Sequence, residues 1–231
     1  MHRLLRQSPG PIWQGDRHAR APRRMPLPLQ QWIDWLGGGE DASLPAAPML
    51  AAPLTSAQRA ALLAQALRYA DDTLLDARIA LSGTVGESNE LRLRARGVLR
   101  GTAHSAGALL AQLGAALATG NTLLADQAEL AATLRAALPV TLRAALRSAL
   151  PSAAPACQAV LIDADEARQQ PQWLLELCGE VAAGEGAIQP LVVASGESGD
   201  YALERLLVEQ CVSVNLAAVG GDTRLLALGE E

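Results

Sequence analysis

Apolar residues recur along this chain in two rhythms. The clearest change between them falls in Ala106 to Glu129, AGALLAQLGAALATGNTLLADQAE. Leu109, Leu110, Leu113 and Leu117 lie at helical spacing among small residues, and Gly120 and Asn121 stop the run. Thr122–Ala125 reads as a short apolar strand. Asp126, with Glu129 three residues on, is the candidate N-cap of an Ala/Leu helix. Helix, glycine turn, strand and capped helix in succession predict an α/β sheet domain.

The same reading extends over the rest of the chain. Trp32, Ile33, Trp35 and Leu36 predict a short helix or apolar latch over Gln30 to Leu36, stopped by Gly37 to Gly39. Ser56 is a candidate N-cap for a long helix to about Ala77, with Leu62, Leu63, Ala66, Leu67, Ala70 and Leu74 on one face. Ile79 to Glu90 is polar and glycine-bearing. Leu91, Leu93, Val98 and Leu99 alternate with arginines, as a half-exposed strand or hairpin does. Ala128 to Leu138 and Leu142 to Leu150 predict two helices separated by Pro139. Ala159 to Ile162 and Leu191 to Ala194 predict buried strands. Between them Pro171 opens a helix through Val181 that turns Trp173, Leu174, Leu177 and Cys178 inward. Tyr201 to Glu209 predicts an amphipathic helix on Leu203, Leu206 and Leu207, and Cys211 to Leu216 alternates as a strand. Strands alternating with helices predict a Rossmann-like fold, a mostly parallel sheet with helices on both faces, plus a C-terminal strand and tail.

Composition narrows the setting. Half of the 231 residues are hydrophobic, enough for a substantial core. All 19 basic residues are arginine and Phe is absent, which reads as coding bias. Three cysteines without a CxxC pattern give no disulfide framework and fit a reducing cytosol, so a cytoplasmic location is expected. Residues 1–24 hold six arginines against Asp16, a formal +5, which leaves −10 on the rest of a chain of net charge −5. Residues 1–30, with Pro9, Pro11, Pro22, Pro26 and Pro28, read as an extended connector. A basic arm can also touch nucleic acid or anionic lipid, but no aromatic interleaving or DNA-binding pattern accompanies it.

Three stretches carry a resemblance. Ala202 to Gly229, ALERLLVEQCVSVNLAAVGGDTRLLALG, is similar to the C-terminal motif of proline utilization A, with Glu204, Arg205, Ser213, Val214, Asn215, Ala217, Ala218, Gly220, Gly221, Leu225 and Gly229 matching. Leu81 to Asn89, LSGTVGESN, and the Leu110 to Leu123 region match two further stretches of that family, and the opening HRLLRQSP resembles the exit from a preceding dehydrogenase domain. The resemblance implies an aldehyde-dehydrogenase-like domain without catalysis of its own. Its family fuses proline dehydrogenase to glutamate-semialdehyde dehydrogenase. The implied role is to pack over the aldehyde dehydrogenase domain and close the cavity through which pyrroline-5-carboxylate passes. Arg205, Ser213, Asn215, Gly220, Gly221, Leu225 and Gly229 would make the contacts with that partner domain. The implied organisation is a linker over 1–29, the α/β domain over 30–200 and a helix–strand–tail motif over 201–231.

The candidate chemistry is sparse. Gly120, Asn121, Thr122 and Glu129 match an aldehyde dehydrogenase cofactor segment, but its Lys and Pro are replaced by Asp126 and Gln127. An ionised Asp126 cannot donate to a ribose hydroxyl and puts negative charge near a pyrophosphate, so its simpler role is the helix cap. No GxGxxG fingerprint is present either. Cys157, Cys178 and Cys211 read as buried inert thiols, and His2, His18 and His104 show no metal-ligand spacing. Asp163, Asp165 and Glu166 form either a solvated strand-end loop or an acidic cluster.

The expectation is therefore no catalytic residue, metal or cofactor in this domain. FAD and NAD would belong to a parent enzyme. The partner would be the aldehyde dehydrogenase domain of the same polypeptide or of a dimer mate. No nucleic acid would be bound through this domain, membrane contact would be peripheral and through the parent, and a homo-oligomer is compatible. Two other readings stay open: a minimal NAD-dependent dehydrogenase, and an interaction module working through the arginine arm.

Overall fold

Local sequence sets most of the elements, and the sheet overrides it in a few places. The computed structural model describes residues 25–38, 54–82, 86–148, 157–184, 186–194 and 199–215. Among them the chain runs through α1 (Leu27–Gly37), α2 (Ser56–Asp72), β1 (Arg78–Leu81), β2 (Glu87–Ala95), β3 (Val98–Gly101), α3 (Ala106–Ala118) and β4 (Thr122–Ala125). It continues through α4 (Ala128–Ala137), β5 (Leu146–Ser148), β6 (Ala159–Ile162), α5 (Ala164–Gln169), α6 (Pro171–Ala183), β7 (Leu191–Val193) and β8 (Leu207–Asn215). The elements fall into two units. An α/β body draws on residues 25–75 and 95–208, and a small sheet on residues 76–94 and 209–215. The arginine-rich stretch 1–24 and the tail from Leu216 lie outside the described residues.

The body adopts the expected α/β class. Its five strands are all parallel, in the order β5-β4-β3-β6-β7. Strand alternation splits β6 and β7 between two cores. In β6, Ala159 and Leu161 face the larger core, which holds residues of α1, α2, α3 and α4. Val160 and Ile162 face a second core with Ala167, Leu177, Trp173 and Leu174 from α5 and α6. The central helix is α3. Ser105 caps it by accepting from the Ala108 N–H, and Leu109, Leu110, Leu113, Ala115, Ala116 and Ala118 have no exposed surface. A helix apolar all round must be enclosed, and here α1 and α2 lie on one side and the sheet on the other.

Close approach of α3 to the sheet depends on Gly101. A methyl group there would stand 2.7 Å from Gln112 Oε1 and 3.0 Å from Leu123 Cδ1. Gln112 cannot easily give way, because its side chain accepts from the Ala103 N–H and donates to the Leu161 carbonyl. Gly101→Ala is therefore expected to lower unfolding free energy by about 1–3 kcal/mol in urea titrations. A variant as stable as the parent would show that this contact is slack.

Several expectations are corrected. The cap of α2 is Thr55, one residue earlier than Ser56, in a reciprocal capping box with Gln58. The helix stops at Asp72 and not near Ala77, because Thr73 turns extended and its buried hydroxyl donates to the Ala118 carbonyl. Asp126 does not cap α4. Gln127 holds that position without a side-chain bond, and the Asp126 carboxylate is taken by Arg100. The predicted helix over Leu142 to Leu150 is a 3-10 turn at Arg143–Ala145 followed by β5, for two reasons. Arg143 reaches back to the carbonyls of Leu138 and Ala136 at the end of α4, and the edge of β4 supplies a backbone ladder for residues 146–148. The predicted helix over Tyr201 to Glu209 is a 3-10 turn at Leu203–Leu206 leading into β8. Residues i and i+3 eclipse in a 3-10 turn, so Leu203 and Leu206 both enter the core without a longer helix. The alternating residues over 91–99 form no hairpin. They divide between β2 and β3, which lie in different sheets, with Gly97 at φ 118° between them.

The small sheet has the order β1-β2-β8. β1 and β2 pair antiparallel, Arg78 opposite Arg92 and Ile79 opposite Leu91. Ile79, Leu81, Leu91 and Leu93 therefore share one face, and Arg78, Glu90, Arg92 and Arg94 the other, where Glu90 pairs with Arg92 and Asp76 with Arg94.

Candidate functional site

The turn after α3 lies where the apolar rhythm changes most clearly, and its chemistry points inward. Gly120 takes φ 68°, and a side chain there would run into Leu75 at 2.9 Å. The nearly buried Asn121 accepts from the Gly97 N–H at 2.7 Å. Its amide donates to Thr119 Oγ1 at 2.8 Å and to the Leu206 carbonyl at 2.9 Å. Both amide hydrogens and the carbonyl oxygen of Asn121 are thus engaged in tying the α3–β4 turn to the entry of β3 and to the segment before β8.

That segment, residues 199–206, is a strap bonded to the rest of the body at both ends. Gln65 donates to the Gly199 carbonyl at 2.9 Å. Arg68 makes a bidentate pair with Asp200, both bonds 2.8 Å. The Tyr201 N–H donates to Tyr69 Oη at 2.8 Å, and Arg96 donates to the Arg205 carbonyl at 2.7 Å. Burial pushes both phenols well above the usual tyrosine range. At Tyr69 the Tyr201 N–H opposes that shift, and at Tyr201 a hydrogen bond with Gln112 does. Gln65, Arg68 and Tyr69 stand at i, i+3 and i+4 on α2, so one helix face grips three consecutive residues of the strap. Sequence reading passed over them. The available signal was Gln65, a polar residue inside an apolar helical stripe.

The strap also borders a cleft of about 540 Å³ in the body. The cleft lies at the carboxyl ends of β3 and β6, where strand order reverses and α/β sheets usually take ligands. Gln58, Gln65, Ser105, Gly107, Asp163, Asp165, Glu166 and Tyr201 are among its lining residues. Its acidic residues are employed in the fold. Asp163 caps α5 through the Asp165 and Glu166 N–H groups, Glu166 accepts from the His104 N–H at 2.7 Å, and Asp165 pairs with Arg168. Among the described residues no group of His, Cys, Asp and Glu is placed to hold a metal ion.

A second polar cluster joins β3, β4 and α6. Arg100 bonds Asp126 at 2.9 and 3.0 Å and Glu180 at 2.7 Å. Burial works against its charge, but these two carboxylates outweigh it and hold its pKa above the ordinary arginine value. The half-buried Cys157 thiol is pushed up by burial, with Arg100 acting in the opposite sense. Cys178 is also half-buried. Cys211, expected to be buried, is exposed, because it stands on β8 where most side chains face outward.

The residues proposed for partner contact are dispersed. Arg205 is exposed at the end of the 3-10 turn, and Ser213 and Asn215 are exposed on β8. Gly220, Gly221, Leu225 and Gly229 lie outside the described residues. β8 is nine residues long, pairs only with β2 among the described strands, and buries little beyond Leu207. No helix among the described residues is long and apolar enough to cross a membrane.

Numbered within the sheet, the body's strand order is 3-2-1-4-5, with helices on both faces and a crevice at the switch point. It is a Rossmann-like α/β domain. No family model matches the chain. It is 33% identical over 188 residues to the bifunctional protein PutA of Salmonella typhimurium, across 79% of this chain and 14% of that protein. It is 33% identical over 157 residues to PutA of Rhizobium meliloti, across 64% of this chain and 12% of that protein. The crystal structure of a bifunctional proline utilization A (PutA) protein aligns with a TM-score of 0.51 at 24% identity, over 73% of this chain and 19% of that one. Over most of its length the chain is similar to a segment of PutA, as a PutA-derived domain would be, and it spans 12–14% of the length of these two curated relatives.

Proposed function

We propose that this chain is a non-catalytic docking and lid domain of a PutA-type enzyme that oxidises proline to glutamate by way of pyrroline-5-carboxylate. The observation that carries the reading is β8, a long strand that pairs only with β2 among the described strands and keeps most of its side chains exposed. An aldehyde dehydrogenase domain, of the same polypeptide or of a dimer mate, is the partner we assign to it. Docking works by strand addition, with backbone bonds for affinity and alternate side chains such as Ser213 and Asn215 for register. Arg205 and the tail residues Gly220, Gly221, Leu225 and Gly229 belong to the same contact in this reading. The partner's cavity is thereby closed to bulk water and the intermediate retained.

The residues of the body suit a dinucleotide poorly, which supports a role without catalysis. Asn121 is committed to internal bonds, and Asp126 is neutralised by Arg100 where aldehyde dehydrogenases carry lysine. A pyrophosphate in the switch-point cleft would face Asp163, Asp165 and Glu166. FAD and NAD are accordingly assigned to the parent enzyme, and the location to the cytoplasm with it.

The test joins this chain to the proline dehydrogenase and aldehyde dehydrogenase portions of a PutA. Proline is then placed at Ser213 or at Val214. Successive amides of a strand face opposite sides, so one of the two changes blocks the edge away from β2 and the other the β2 side. Coupled proline-to-glutamate flux is expected to fall about tenfold, with intermediate escaping into solution. Coupled kinetics that neither substitution alters would dispose of the reading.

A further inference from the structure

We infer that α2 is a clasp that fixes where the chain leaves the α/β body, and that Gln65, Arg68 and Tyr69 are positioning residues for the docking edge. This rests on the docking role proposed for β8. The strap ends at Leu206 and β8 begins at the buried Leu207 without an intervening residue. Any slack in 199–206 is therefore passed directly to the root of the strand. The three α2 side chains remove that slack at its upstream end, holding the Gly199 carbonyl, the Asp200 carboxylate and the Tyr201 N–H. Asn121 and Arg96 hold the downstream end at the Leu206 and Arg205 carbonyls.

Geometry separates this role from simple stabilisation. The Arg68 side chain is 45% exposed and that of Asp200 23%, so their pair adds little to global folding. Its fork is nevertheless bidentate, and a planar fork on a carboxylate fixes orientation as well as distance. The upstream bonds come from one helix face, so they fix the strap as a set and not as isolated contacts. A strand that must meet a partner's strand in register gains from a root held in this way, because a slip of one residue turns every side chain to the opposite face.

The experiment uses the full chain with Arg68→Asp, with Asp200→Arg, and with both together. Each single change sets like charges against each other, and the double change restores a pair of opposite charge. Amide hydrogen exchange over residues 199–206 is expected to rise roughly tenfold in each single variant and to return toward the parent rate in the double, with the melting temperature nearly constant. Capture of Salmonella typhimurium PutA lacking the segment that this chain matches should weaken and recover in the same pattern. Exchange unchanged in the single variants overturns the clasp. Exchange raised with capture intact overturns the positioning role. A parent chain that fails to capture the truncated PutA defeats the docking reading instead, and the exchange measurements still decide the clasp.

Discussion

Replacing Asn121 by alanine is expected to destabilise the body by about 2–4 kcal/mol, a large fraction of the stability of a typical domain. The side chain is only 4% exposed and serves three partners. Its loss strands the carbonyl of the buried Leu206 at a desolvation penalty of about 1–3 kcal/mol, and removes a hydrogen bond worth about 0.5–1.5 kcal/mol from the exposed Gly97, whose N–H water can reach. The Thr119 hydroxyl suffers less, because it still donates to the Ala115 carbonyl at 2.8 Å. Asn121→Asp tests the same point from another side. It keeps the acceptor for Gly97 but removes the donor to Leu206 and buries a charge. Urea unfolding followed by circular dichroism measures both variants. A loss below about 1 kcal/mol for the alanine variant would show that Asn121 does not hold these segments together.

Alkali should unfold the protein sharply, and tyrosine ionisation should report it. The chain has two tyrosines, Tyr69 and Tyr201, and both are buried. Burial raises both phenol pKa values in the folded state, above the unfolded value of about 10. A raised folded pKa means that the folded state keeps its protons longer than the unfolded chain does. The stability they contribute is therefore fully present below about pH 10 and is lost as pH climbs beyond it, by up to ~1.4 kcal/mol per pH unit for each phenol. Two phenols together give a steep fall. Near-ultraviolet tyrosinate absorbance should stay flat until circular dichroism reports unfolding, and the two transitions should coincide. Tyrosinate forming near pH 10 in a protein whose circular dichroism is intact would mean that the strap opens readily.

Much of the body was legible because its signals are local. Thr122–Ala125 and Ala159–Ile162 appear at their expected bounds, each a short apolar run closed by turn residues. Pro171 opens α6 as its fixed φ leads one to expect. What could not be read depends on partners far along the chain. Leu142 to Leu150 has helical composition, but the edge of β4 offers its backbone a ladder, and no pattern within the segment reveals that edge. Asp126 has the spacing of a cap, yet Arg100, 26 residues earlier, takes its carboxylate. The clasp was invisible for the same reason, since Arg68 and Asp200 are 132 residues apart. The resemblance over Ala202 to Gly229 did not reveal that its first residues are built into the body.

The bond from Asn121 to the Leu206 carbonyl spans 85 residues, and this orders events during synthesis. A nascent chain that has exposed α3 and β4 outside the ribosome still leaves the Asn121 amide, Tyr69 Oη and Gln65 without their later partners. The body closes only when the strap has been translated, by which time β8 is the next segment to emerge. Products cut short before residue 199 would lack the strap that covers these groups and be exposed to proteolysis. Completion of the folded body thus certifies that the chain has been made up to the point where its edge strand begins.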